Sequence, residues 1–221
     1  MIKCICCDLD DTLYPESSYY GACYEAIARV VSTEDYLEVK SYILGLRRTI
    51  GDTGIFQRVI EHYNLDPQML DDFIDIYRTF QADIALFPDV AEYLQKRPNH
   101  VQHGILTNGG KMTQENKIRL LGIRKDFDFI AITGEVLPRH QWKPHKRSFE
   151  LILDRTGCRP QECLYIGNSL EHDVIGALTV GMKAVQIDRT STRGLKRVDG
   201  KSYWVITSFR QLWEILGYCE G

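Results

Sequence analysis

Short apolar runs and longer patterns with three- and four-residue spacing alternate along most of this chain. Ile2 to Cys7 is apolar except for Lys3, and similar compact runs recur at His103 to Leu106, Phe129 to Ile132, Cys163 to Ile166 and Ala184 to Ile187, with a weaker one at Tyr203 to Ile206. Runs of this length without polar alternation read as strands buried on both faces. Helical periodicity fills the intervals at Val90 to Lys96, Thr113 to Leu121, Lys146 to Thr156, Leu170 to Val180 and Phe209 to Leu216. The alternation predicts an α/β fold, a parallel sheet with helices on both faces.

One interval breaks the rhythm. Between Tyr14 and about Ile84 only helical patterns occur, at Tyr20 to Val31, Glu34 to Arg48, Ile55 to Tyr63 and Pro67 to Phe80. In the second of these, Tyr36, Leu37, Lys40, Ile43, Leu44 and Arg47 fall at helical spacing, which predicts an apolar stripe and a polar face. Proline punctuates both borders, at Tyr14-Pro15 and Leu86-Phe87-Pro88. The expectation is a core of residues 1–13 and 86–221 carrying an inserted all-helical unit of residues 14–85.

Composition narrows the partners. With 27 basic against 30 acidic residues and a formal net charge of -3, nothing draws the 221-residue chain toward nucleic acid or an anionic membrane. No apolar stretch is long enough to span a bilayer and none of signal-peptide length opens the sequence, so a cytoplasmic protein acting on a small molecule is expected. Oligomeric state is not readable. The seven cysteines, Cys4, Cys6, Cys7, Cys23, Cys158, Cys163 and Cys219, are odd in number, and Cys4, Cys6 and Cys7 find no CxxC or HxxxH partner pair elsewhere that would complete a zinc site, so they read as reduced thiols. Cys4, Cys6 and Cys7 belong to the first apolar run as small buried hydrophobes.

The polar clusters follow the strands. DLDDT begins where the first strand ends, LTNGG follows the second and GNSLEHD follows the fourth, with WKP ahead of the helix that leads into it. In an open α/β sheet these are the carboxyl ends where ligands bind. Asp8 and Asp10, two apart, would point to one side of a strand continuing outward. Two carboxylates on one face repel unless a cation lies near or one carries a proton. Such a pair can attack an electrophile with one member and protonate the leaving group with the other. The plainer reading of these aspartates is a helix cap or turn.

Taken together, DLDDTLYP, ILTNGG, WKPHKRSFE and LYIGNSLEHDVIGA resemble, in order and placement, the four signatures of the haloacid dehalogenase-like hydrolases, over roughly residues 2 to 187. The resemblance implies a Rossmann-like core with a helical cap after the first motif, and magnesium-dependent phosphatase chemistry. Its finer shade is nucleotidase-like or acylneuraminate-9-phosphatase-like. It assigns Asp8 as nucleophile and Asp10 as the acid, then base. Thr107 and Lys143 would bind the phosphoryl group, with Lys143 also offsetting Asp8, and amides around Leu9, Asp11 and Asn108 would donate to phosphoryl oxygens. Magnesium would be held by Asp8, the Asp10 carbonyl, Asn168 and Asp173.

One position departs from the pattern: Asn168 stands where phosphatases of this kind carry an aspartate, so weaker metal binding is expected. Glu171 or His172 would have to reach inward to compensate. Two other readings follow: a metal-independent 2-haloacid dehalogenase, whose halide leaves without a proton, or a phosphate-ligand binder with weak turnover. Retention of Asp10 and Thr12 favours the phosphatase. Arg47, Arg48, Arg58, Tyr19 and Tyr20 are candidate cap contacts, though each taken singly is better explained by a solvated helix face for the arginines and by packing for the tyrosines. Arg189, Arg193, Lys196, Arg197 and Lys201 read as a basic surface loop, and His140 and His145 as surface neighbours of Lys143.

Overall fold

The computed structural model describes residues 1–217, so Cys219 lies outside the described residues. Seven strands form one sheet in the order β3-β2-β1-β4-β5-β7-β6: β1 Cys4–Cys7, β2 Gln102–Thr107, β3 Phe129–Ile132, β4 Cys163–Gly167, β5 Lys183–Ile187, β6 Gly194–Val198 and β7 Lys201–Ile206. All neighbours are parallel except β6 and β7. Ile5 and Cys7 enter one hydrophobic cluster and Cys4 and Cys6 the other, so β1 is buried on both faces, as its unbroken apolar run demands. Burial pushes the Cys6 and Cys7 thiols well up, which leaves them inert packing groups.

The basic segment near the end of the chain is not a loop. Gly194–Val198 pairs antiparallel with Lys201–Ile206 around Asp199-Gly200, both at positive φ (49° and 75°), the geometry of a tight two-residue hairpin turn. Arg189 is not simply solvated either: it pairs with Asp89 at 2.9 Å and lies 3.7 Å over the Phe87 ring.

After β1 come four helices, α1 Glu16–Val31, α2 Tyr36–Ile50, α3 Ile55–Tyr63 and α4 Met69–Thr79. They enclose a hydrophobic cluster of their own, built around Tyr24, Ile27, Val39, Ile43, Val59 and Phe73. On α2 the expected stripe is rotated: Ile43 is buried, but so is Val39, whereas Leu37 is 64% exposed. The remaining helices are α5 Pro88–Lys96, α6 Lys111–Leu121, α7 Thr133–Val136, α8 Lys146–Thr156, α9 Gly176–Thr179 and α10 Leu212–Leu216. The expected helix over Leu170 to Val180 is divided, with a wider π-turn at Leu170–Ile175 running into α9.

The chain leaves and re-enters the sheet region at one place. Leu13 and Tyr14 are buried, and the Phe87 N–H donates to the Leu13 carbonyl at 3.0 Å, tying the outgoing and returning segments together. Asp11, at φ +53°, accepts from the Glu16 N–H at 2.9 Å and so caps α1. Among the described residues no helix is long and apolar enough to cross a membrane.

His103, in β2, is buried with Nδ1 2.9 Å from the Val101 carbonyl and Nε2 3.0 Å from the Tyr93 hydroxyl. A carbonyl only accepts, so Nδ1 carries the proton and Nε2 accepts from Tyr93. Burial lowers this imidazole to about 4, below its ordinary 6.5. The unfolded chain takes up that proton first as pH falls, so the contribution of His103 is complete above pH 6.5 and is lost toward pH 4. Between pH 7 and 5 the wild type should lose about 2 kcal/mol more in urea unfolding than His103→Gln. Equal losses would contradict this.

Candidate active site

The sheet order reverses at β1, whose neighbours β2 and β4 lead away on opposite sides. A crevice opens at their carboxyl ends, where the chains diverge. Asp8 follows the last residue of β1, and its N–H donates to the Ile166 carbonyl at 2.8 Å, continuing the ladder to β4. Thr107 ends β2 and Gly167 ends β4.

Lys143 is the centre of the crevice. It is 5% exposed, and its Nζ lies 2.6 Å from Asp8 Oδ1, 2.7 Å from Asp173 Oδ1 and 2.9 Å from the Tyr165 hydroxyl oxygen. All three donor positions of the ammonium are used. Burial alone would lower Lys143, but Asp173 and Asp8 outweigh it and raise the ammonium above its usual range. Asn108 fixes this lysine from behind: its side chain accepts the Lys143 N–H at 3.0 Å and donates to the Lys143 carbonyl at 3.0 Å. Thr133 holds Asn108 Oδ1 in turn at 3.1 Å.

Asp173 is committed to this cluster. Its Oδ2 accepts the Ser169 N–H at 2.9 Å, while Oδ1 accepts from Lys143 and lies 3.3 Å from the Tyr165 hydroxyl oxygen. It therefore offsets the lysine charge, with Oδ2 accepting one hydrogen bond. Gly167 makes its position possible, since a Cβ there would sit 2.3 Å from Asp173 Cγ. Asp8 is different. Among the described residues its Oδ2 sees only the Thr12 hydroxyl, at a long 3.5 Å. Burial pushes Asp8 up to about 7, against the pull of Lys143 and with Asp173 and Asp10 adding to the rise.

Asp10 faces a second set of partners, which the motif reading missed. Tyr14 donates its hydroxyl to Asp10 Oδ1 at 2.6 Å, Lys117 adds its ammonium to the same oxygen at 2.7 Å, and Gln114 donates to Oδ2 at 2.8 Å. Burial would raise this carboxyl, but Lys117, Tyr14 and Gln114 together hold it below its usual range. The same Gln114 amide reaches the Thr107 hydroxyl oxygen at 2.7 Å. A signal for these residues existed: Gln114 lies four positions before the buried Ile118 and Lys117 one before it, on the face of α6 that turns inward.

Beside Asp10 lies a cavity of about 560 Å³ between the four-helix segment and the sheet, walled by Tyr24, Phe56, Tyr77, Arg139 and Trp142 among others. Arg47, Arg48, Arg58, Tyr19 and Tyr20 do not line it among the described residues. Arg47 instead braces the helices, pairing with Glu16 at 2.6 Å and with Asp52, and lying over the Tyr20 ring. Tyr19 donates to the Tyr77 carbonyl. Glu171, His172, His140 and His145 are exposed, and His145 caps α8. The N–H groups of Leu9 and Asn108 have no acceptor among the described residues, while Asp11 sits in the tight bridge between Asp10 and Tyr14. The Asn168 side chain likewise has no hydrogen-bond partner there.

A family model for haloacid dehalogenase-like hydrolases matches residues 5–187, most of the chain. The chain belongs to this family. Across 232 aligned positions, 98% of the chain and 100% of the relative, this hydrolase is 28% identical to the glyceraldehyde 3-phosphate phosphatase of Methanothermobacter thermautotrophicus. It is 35% identical over 99 residues to the N-acylneuraminate-9-phosphatase of Mus musculus, covering 45% of the chain and 39% of that protein. A HAD phosphatase from Thermococcus onnurineus has a TM-score of 0.69 at 24% identity, covering 98% of each chain. The 2-haloacid dehalogenase of Pseudomonas syringae gives 0.68 at 22%, covering 98% of this chain and 99% of that one. The hydrolase thus shares its fold with structures from both chemical branches, and its own side chains must decide between them.

Gly167→Ala should displace Asp173 from Lys143. Loss of about 1–3 kcal/mol in urea unfolding is expected from the overpacking. An unchanged midpoint would show that the contact is relieved elsewhere.

Proposed function

We propose that this hydrolase is a magnesium-dependent phosphohydrolase that cleaves a small phosphorylated metabolite through an aspartyl-phosphate intermediate. The observation that carries the reading is Asp10, half-buried two residues beyond Asp8 and held toward the cavity by three donors. A halide leaves without a proton and needs no such group, whereas an alkoxide does. The full-length relatives named as phosphatases support the same choice.

In the first step an Asp8 oxygen attacks phosphorus while the bond to the leaving oxygen breaks and Asp10 gives that oxygen its proton. The incoming phosphoryl charge opposes ionisation of Asp10 and so favours its loading with a proton. Lys143, already touching Asp8, offsets charge on both the nucleophile and the phosphoryl group. Thr107 accepts from Gln114 and donates its hydroxyl hydrogen to the Asn108 carbonyl at 3.3 Å, from which it would turn to a phosphoryl oxygen, and the Leu9, Asp11 and Asn108 amides would supply further donors. In the second step Asp10 takes a proton from water, which attacks phosphorus and releases phosphate and the Asp8 carboxylate. The four-helix segment, read as a cap of residues 14–85 over a core of 1–13 and 86–221, covers the cavity and excludes bulk water.

The donor chemistry fits magnesium. Asp8 Oδ2 has only one long contact, and the Asn168 side chain has no partner among the described residues, so both are available beside the Asp10 backbone carbonyl. These are hard oxygen donors, with Asp173 acting from behind through Lys143. Bound there, the ion would supply charge neutralisation for the phosphoryl group. Only one carboxylate, Asp8, would touch it directly, which is why weak binding follows.

The hydrolase should release phosphate from p-nitrophenyl phosphate at millimolar magnesium and lose that activity in EDTA. Asp8→Asn should lower it about a thousandfold or more. Halide release from a 2-halo acid in EDTA would favour the dehalogenase instead, and phosphate-dependent thermal stabilisation without turnover would favour a binder. Asn168→Asp should reduce the magnesium concentration for half-maximal activity by about tenfold; an unchanged requirement would remove Asn168 from the ion.

A further inference from the structure

Gln114 and Lys117 are each only 2% exposed. An ammonium and an amide so deeply buried are costly unless paired, and both find their partners at Asp10. Three residues apart, they share one face of α6. Lys117 bridges Asp10 Oδ1 at 2.7 Å and Glu16 Oε1 at 3.3 Å. Gln114 bridges Asp10 Oδ2 at 2.8 Å and Thr107 at 2.7 Å. With Tyr14 on Oδ1, both carboxyl oxygens are held from separate directions, so the carboxyl plane cannot turn. Neither Gln114 nor Lys117 bonds to Asp8 or Lys143 among the described residues. Glu16 opens the first helix of the four-helix segment and is itself backed by Arg47.

We propose that Gln114 and Lys117 are positioning residues that hold the Asp10 carboxyl at the leaving-group oxygen, and that the bridge from Lys117 to Glu16 ties this placement to the helical segment. The assignment rests on reading Asp10 as the acid of a phosphohydrolase. It has a consequence that a merely structural role lacks. Residues acting through the proton donor matter in proportion to how badly the leaving group needs a proton. p-Nitrophenolate leaves as a stable anion, whereas a benzyl alkoxide must be protonated as it departs.

The test compares kcat/KM for p-nitrophenyl phosphate, phenyl phosphate and benzyl phosphate, compounds of similar shape, in the wild type, Gln114→Leu and Lys117→Met. This constant reports only the steps through formation of the intermediate, so water activation by Asp10 does not enter it. Both variants should lose about 10- to 100-fold on benzyl phosphate and less than about threefold on p-nitrophenyl phosphate. Lys117→Arg should recover part of the benzyl phosphate loss, and Glu16→Gln, which leaves the Lys117–Asp10 contact in place, should show a smaller loss of the same kind. Should Lys117→Met fail to fold, the uncharged Gln114→Leu carries the comparison. Equal losses on all three esters would overturn the assignment, and a Glu16→Gln enzyme with wild-type ratios would remove the tie to the helical segment. Wild-type inactivity on the whole series would sink the phosphohydrolase reading, and this assignment with it.

Discussion

The buried Lys143 ammonium is the constraint on which the crevice is built. An isolated charge in that position would be strongly unfavourable, and Asp8, Asp173 and the Tyr165 oxygen together satisfy it. Each neighbour is then constrained in turn. Asp173 needs a glycine at 167, Tyr165 needs an acceptor and finds the Leu106 carbonyl at 3.0 Å, and Lys143 needs its backbone clamped by Asn108. The cysteine-rich β1 supplies a strand with no polar side chain to compete, so Asp8 emerges from apolar surroundings directly into this cluster.

The two carboxylates of the first motif do not share a cation. Asp8 has Lys143 and Asp10 has Lys117, each lysine buried and each paired a second time, with Asp173 and Glu16 respectively. The environments separate their proton affinities: Asp8 is pushed up to about 7 and Asp10 is held down. That order is the reverse of the proposed roles, and a cation beside Asp8 together with phosphoryl charge beside Asp10 would shift each group toward its role. Repulsion between them is thus met by two independent ion pairs, a solution invisible to any inspection of DLD alone.

Much of this was legible in the sequence because burial leaves a periodic mark. β1 to β5 and β7 announce themselves as apolar runs, and the order of the motifs places Asp8, Thr107, Lys143 and Asp173 at one edge. β6 escaped because Leu195, Lys196 and Arg197 at its centre are exposed and two of them charged, so that only the Asp199-Gly200 turn betrays the hairpin. Gln114 and Lys117 escaped for the converse reason: polar residues on a helix default to solvent, and only their register with Ile118 argues otherwise. The pairing of Asp173 with Lys143 could not be read either, because it depends on where the lysine ammonium and the Ser169 N–H point, not on residue type.

The hydrogen bond from Phe87 to Leu13 has a geometric consequence. The four-helix segment is joined to the sheet region by two strands of chain, and this contact pins them at a single crossing point. Arg189, stacked on Phe87 and paired with Asp89, anchors the returning strand just beyond it. Sliding of one body over the other would require the pin to break, whereas a swing about it would not. An opening that kept this bond would be a rotation about it, with displacement growing with distance from Leu13.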